Sequence, residues 1–134
     1  MLYDSTGILR YSNEVSHRLV LEIDREIVRY YRSLIPKHFS TNLPRYVPHI
    51  TVVRPEKETP INLESWGKYE GLEVPFLYDN QIQCGKIYYW LNAFCKKLEE
   101  IRLELGLPVI SQHTQPPEGF NRVFHITICN QKTS

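Results

Sequence analysis

The sequence predicts an α+β domain built in two related halves, and three observations carry that expectation. Elements read strand, helix, strand in the first half and strand, strand, helix, strand in the second. The tripeptide His-Ile-Thr occurs at 49–51 and again at 125–127, each time in an apolar strand that follows a helix. With 134 residues, 42% of them hydrophobic, the chain can bury a core of its own, so one domain spanning 1–134 is expected.

Each element has a local reason. HRLVLEID, 17–24, alternates Leu19, Leu21 and Ile23 with Arg18, Val20 and Glu22, the period of a strand with one buried face. A helix is predicted at once after it: Asp24 can cap the first turn, Ile27, Tyr31, Leu34 and Ile35 recur at helical spacing, and the ring of Pro36 excludes a further turn. The loop 37–45 leads to the strand YVPHITVVR, 46–54. PEKETPIN follows, and its two prolines and mixed charges mark an exposed connection, the expected hinge between halves. LEVPFLYD, 72–79, and KIYYW, 86–90, read as strands separated by a turn with Gly85.

From Leu91 to Leu105 the residues Leu91, Phe94, Cys95, Leu98, Ile101 and Leu105 form one helical stripe, with Lys96, Lys97, Glu99, Glu100 and Arg102 on an opposite, solvated face. Gly106 and Pro108 end that helix. RVFHITIC, 122–129, is the last strand. The first 14 residues, MLYDSTGILRYSNE, read as a polar segment with no leader pattern.

Composition excludes several classes of partner. With 16 basic and 15 acidic residues the net charge is +1, too little to hold a nucleic-acid duplex such as DNA by its backbone, although a few local cations can still meet a small anion. Cys84, Cys95 and Cys129 form no CxxC pair, which suits a reducing, cytoplasmic setting and thiols used as small apolar groups. No run approaches the ~18 apolar residues of a membrane span. No HExxH or short Cys/His spacing gathers metal ligands, and His17, His38 and His113, with polar neighbours, read as surface histidines.

The repeated pair is what carries chemistry. Side chains alternate along a strand, so His49 and Thr51 share one face and Ile50 and Val52 the other; His125 and Thr127 are set likewise against Ile126 and Ile128. If the two strands lie side by side, two imidazoles and two hydroxyls converge. Cleavage of a phosphodiester needs a base for the attacking oxygen and an acid for the departing one, roles that two groups with a pKa near 6.5 can divide near neutral pH. Threonine hydroxyls can hydrogen-bond the non-bridging oxygens, where charge builds. No metal or other cofactor is then required. A single H-x-T on a strand is a weak signal; two in matching contexts are a strong one.

In His49-Ile50-Thr51 and His125-Ile126-Thr127 the sequence resembles the 2H phosphoesterases, defined by two H-x-T or H-x-S motifs on strands of two related lobes, and the order of strands and helices agrees over most of the chain. The resemblance implies two pseudo-symmetric lobes whose antiparallel sheets face a central cleft with helices outside, and catalytic roles for His49, Thr51, His125 and Thr127. It leaves open which histidine is acid and which base. It further implies metal-free action on RNA-type phosphodiesters, including 2′,3′-cyclic phosphates, RNA ends and cyclic nucleotides. LIPKHF, PHITVVR and YYWLN are similar to the virus-encoded branch that degrades cyclic di- and trinucleotide signals, the anti-CBASS nucleases. That likeness implies a small nucleotide ligand, attack by a ribose 2′-hydroxyl, and aromatic side chains that sandwich a base.

Tyr88 and Trp90 are candidates for that stacking wall, on one face of their strand with Tyr89 on the other, and Tyr11 is a candidate for closing the pocket from the opposite side. Arg54, Lys86 and Arg122 are candidate phosphate contacts, although a regular strand would turn Arg54 away from His49. Cys129, at the same alternation as His125 and Thr127, can edge the cleft, where a thiol nucleophile is conceivable but no adjacent group orients it. A binding module that holds a nucleotide without turning it over is the competing expectation.

Overall fold

Period-2 burial along the strands and two amphipathic helices generate the order β1 (Leu2–Ser12), β2 (Arg18–Ile23), α1 (Arg25–Ser33), β3 (His49–Val53), β4 (Glu73–Asp79), β5 (Gln83–Cys84), β6 (Tyr88–Phe94), α2 (Lys96–Glu104) and β7 (Phe124–Asn130). The computed structural model describes residues 1–14, 16–37, 39, 41–42, 47–112 and 114–131. His38, His113 and the start of the expected 46–54 strand lie outside the described residues.

Every strand pairing is antiparallel, in the order β4-β1-β2-β3-β7-β6-β5, and β4 pairs with β6 as well, so six strands close into a barrel with β5 appended to β6. The class is α+β, as expected. The sheets of the two halves, however, are one continuous sheet, joined where β3 meets β7 and where β1 meets β4.

One sheet face is apolar throughout. Leu9, Leu21, Ile50, Leu91 and Ile126 are fully buried there and share a core with Val28 and Tyr31 of α1 and Leu98 and Ile101 of α2. Each buried side chain of this size contributes roughly 1.5–3 kcal/mol relative to exposure. α1 packs on β7 and α2 on β3, so each helix covers the His-Ile-Thr strand of the other half. Asp24 caps α1 as expected, its carboxylate accepting from the Glu26 N–H at 2.9 Å, whereas Leu34 beyond the last turn is exposed.

Several expectations need correction. The supposedly polar N-terminus is β1, an 11-residue strand that bridges β2 and β4. Its alternate side chains Asp4, Thr6 and Arg10 are exposed, which hid the buried set Gly7 and Leu9. The helix expected from Leu91 starts at Lys96, because Tyr89, Leu91 and Ala93 are buried with period two and extend the strand to Phe94.

Arg102, assigned to the solvated face, is completely buried: it stands four residues after Leu98, on the apolar stripe itself. The supposed hinge is docked. Glu58 pairs with Arg102, Pro60 is buried, and the N–H groups of Ile61 and Asn62 donate to the Leu105 carbonyl at 2.9 and 3.1 Å. Among the described residues no helix is long and apolar enough to cross a membrane.

Gly7 tests the place of β1. A β-carbon there would stand 2.6 Å from the Glu22 carbonyl oxygen and 2.7 Å from Leu21 Cγ. Gly7→Ala is expected to lower stability by about 1–3 kcal/mol, read as a shift in the urea midpoint; an unchanged midpoint would contradict the close approach of β1 to β2.

Candidate functional site

β3 and β7 meet with Ile50 directly opposite Ile126. Antiparallel register then sets His49 across from Thr127 and Thr51 across from His125. Because directly opposed residues share a face and both isoleucines point into the core, all four motif side chains lie on the other face. The two histidines are diagonal neighbours in this arrangement, on backbones about 7–8 Å apart.

Both strands then break their alternation at the same point. In β3 the register with β2 shifts between the Leu19–Val53 and Val20–Thr51 pairs, which makes Val52 an extra residue; in β7 the register with β6 shifts between Tyr89–Cys129 and Trp90–Thr127, which makes Ile128 extra. Val52 and Val53 are both buried, and so are Ile128 and Cys129. The bulge after Thr51 therefore returns Arg54 to the face of the motif, against the expectation from a regular strand. The bulge after Thr127 sends Cys129 into the core, where burial pushes its thiol pKa up and removes it as a cleft nucleophile.

A cavity of about 560 Å³ opens on this face, lined by Thr51, His125 and Thr127 together with Arg54, Tyr88 and Trp90. That volume is in the range of small-molecule sites, about 300–1,000 Å³. Tyr88 and Trp90 line it together, while Tyr89 is buried on the opposite side of β6. The Trp90 ring lies 5.4 Å from the His125 ring at 42°, and its indole N–H donates to Asn92 Oδ1 at 3.2 Å, which fixes the indole as a wall.

His125 is held neutral. Burial, reinforced by the positive charge of Arg54, pushes its pKa down to about 4, and its Nε2 is buried with no hydrogen-bond partner among the described residues. His49 differs. It is not among the residues lining this cavity, and its Nδ1 lies 2.6 Å from the Val47 carbonyl. A carbonyl only accepts, so Nδ1 carries the proton. Burial lowers the His49 pKa with help from Arg18, while the Val47 hydrogen bond and Glu22 oppose that shift in part.

The cavity rim depends on a residue that a reading of motifs alone passes over. Arg102 donates to Glu58 through both terminal nitrogens at 3.1 and 2.6 Å, to the Val52 carbonyl at 2.6 Å and to the Pro108 carbonyl at 2.8 Å. It thus ties α2 to the bulge of β3, to the turn carrying Arg54 and Lys57, and to the loop carrying Ser111 and Thr114, all of which reach the cavity. Burial alone would raise the Glu58 pKa, but the hydrogen bonds from Arg102 and the Arg54 N–H outweigh it and hold the carboxylate below its usual range. The signal in the sequence was the helical phase of Arg102, read there as surface charge.

Other sequence candidates lie elsewhere. Tyr11 stands edge-on to Trp66 at 5.0 Å, its hydroxyl accepts from the Tyr69 N–H, and it is not among the lining residues. His17 packs against the same Trp66 at 4.8 Å. Arg122 pairs with Glu99 at 2.8 Å, and Lys86 is an exposed residue that does not line the cavity. Among the described residues no three His, Cys, Asp or Glu side chains gather as a metal site. No family model matches the chain, and neither a curated protein nor a solved structure does.

Two outcomes are expected of these contacts. Arg102→Met should destabilise the fold by about 3–5 kcal/mol, because it strands a buried carboxylate and two carbonyls; a loss below about 1 kcal/mol in urea denaturation would show that the tie is dispensable. A histidine with a depressed folded pKa binds fewer protons than in the unfolded chain, so its neutral form supports stability above pH 6.5, and that support is lost as pH falls toward 4. His125→Asn should flatten the decline of the urea midpoint between those pH values, and an equal slope in both proteins would contradict the shift.

Proposed function

We propose that the protein is a metal-independent phosphodiesterase of the two-histidine kind, acting on the 3′-5′ linkages of cyclic di- or trinucleotides in the manner of the anti-CBASS nucleases. The observation that supports this best is the Ile50–Ile126 register, which lays two His-x-Thr motifs on adjacent strands facing one way. The matching order β2-α1-β3 and β6-α2-β7, each closed by a bulge after its threonine, favours a pseudo-symmetric pair of halves of the 2H type.

In this reading a ribose 2′-hydroxyl attacks its own phosphorus. His125, neutral above a pKa of about 4, takes the hydroxyl proton; a 2′,3′-cyclic phosphate forms as the bond to the 5′-oxygen breaks; and His49 gives a proton to that oxygen. Burial lowers the His49 pKa and so makes it a stronger acid, while the Val47 carbonyl and Glu22 oppose that shift in part. Thr51 and Thr127 donate to the non-bridging oxygens. Tyr88 and Trp90 give the base a stacking surface, worth about 1–3 kcal/mol per base. Cleavage of 2′,3′-cyclic phosphates or RNA ends would use the same groups with water or a chain terminus in place.

One observation favours a second reading. His49 is not among the residues lining the cavity of His125, as a module that binds nucleotide without cleaving it would allow.

Substitution separates the two. His49→Ala and His125→Ala should each reduce cleavage of a cyclic dinucleotide by about 10²–10⁴ in the presence of EDTA, while a 2′-deoxy analogue stays intact. Product formation by His49→Ala at the unmodified rate would remove His49 from the mechanism, and no product from the unmodified chain would favour the binding module. With a base of pKa about 4 and an acid below 6.5, kcat/KM should be bell-shaped with its maximum on the acid side of neutrality. A profile flat from pH 4 to 8 would contradict the pair.

A further inference from the structure

The cavity holds more positive charge than one phosphodiester neutralises. Arg102 is matched by Glu58, whose two carboxylate oxygens it occupies. Arg54 and Lys57 remain, both lining the cavity and neither with a side-chain hydrogen bond or ion pair among the described residues. Arg54 is half-buried, and burial draws its pKa down, a penalty that Glu58 offsets only in part. A guanidinium stays charged regardless. It lines the same cavity as His125 and stands close enough to depress that imidazole.

The turn that carries these cations is fixed. The N–H groups of Lys57 and Glu58 donate to the Arg54 carbonyl at 3.4 and 3.1 Å, and the Glu58 carboxylate accepts from the Arg54 N–H at 3.0 Å, closing the turn on itself. Glu56 between them adopts φ 66°, a conformation non-glycine residues rarely take. The arrangement is also one-sided. At the position after the second bulge, where β3 has Arg54, β7 has Asn130.

We propose that Arg54 and Lys57 form a subsite for a second phosphate, on the β3 side of the one held by Thr51, Thr127 and His125, and that the protein selects nucleotides bearing two phosphates. The inference rests on the phosphodiesterase reading for its reaction, not for its binding. A scissile phosphodiester carries one negative charge, whereas Arg54 and Lys57 supply two positive ones in a site whose His125 is neutral at pH 7. The second anion is the other linkage of a cyclic dinucleotide or a terminal 5′-phosphate of a linear fragment; the chemistry recognised is the same.

Three probes test it: a linear 3′-5′ diribonucleotide with a 5′-hydroxyl, the same compound with a 5′-phosphate, and the cyclic dinucleotide. At least one two-phosphate probe should exceed the single-phosphate probe in kcat/KM by about tenfold or more, and this ratio should fall toward one in Lys57→Gln and in Arg54→Gln. The preferred probe identifies the source of the second phosphate. No gain with either probe, or a gain that survives both substitutions in variants of unchanged melting temperature, overturns the subsite. If no probe is turned over, the phosphodiesterase reading fails on its own. The affinities of the 2′-deoxy forms, read by tryptophan fluorescence, then decide the subsite by the same ratio.

Discussion

The contact between Ile50 of β3 and Ile126 of β7 is the constraint from which the rest of the structure follows. It joins the first and second halves of the chain into one sheet and, by pairing two fully buried side chains, sets the face on which every neighbour must lie. Slipping either strand by one residue would turn its histidine and threonine into an apolar core and its isoleucine to solvent, which burial energetics forbid. The helices reinforce the choice, since α1 rests on β7 and α2 on β3. Packing in either half therefore depends on the other.

A second constraint shapes what surrounds the motif. Two bulges, one after each threonine, spend an extra residue on the core side and so end the motif strand with a reset of phase. In the first half that reset delivers a cation to the cavity, and in the second it buries a thiol. The buried Arg102 then fixes the bulge carbonyl, the cationic turn and the loop beyond α2 to one guanidinium. A buried ion pair of this kind adds little net stability compared with apolar residues in place of both partners, and its contribution lies in holding three segments in one geometry.

Much of this was legible from residue patterns. Alternation revealed β2, β3, β4 and β7 within a few residues of their ends, and Asp24 and Gly106 marked helix termini for reasons of hydrogen bonding and backbone freedom. Tyr88 and Trp90 were placed together correctly because β6 carries no extra residue. Tyr11, expected to close the pocket, packs on Trp66 instead, since a single residue in β1 has no period to reveal its face once the strand itself is missed. Arg102 escaped because a charge on an apolar stripe reads as surface until its partner, 44 positions away, is known.

The sequence by itself determined the α+β class, the position of each His-Ile-Thr and the face each motif shares, because these follow from periodicities of two and 3.6 that act within a few residues. Only the tertiary structure decided that β1 closes the barrel, that Arg54 faces the cavity while Cys129 does not, and that Glu58 turns an apparent hinge into an anchor. Those outcomes depend on register between distant strands and on charge pairs far apart along the chain, and neither leaves a mark in local spacing.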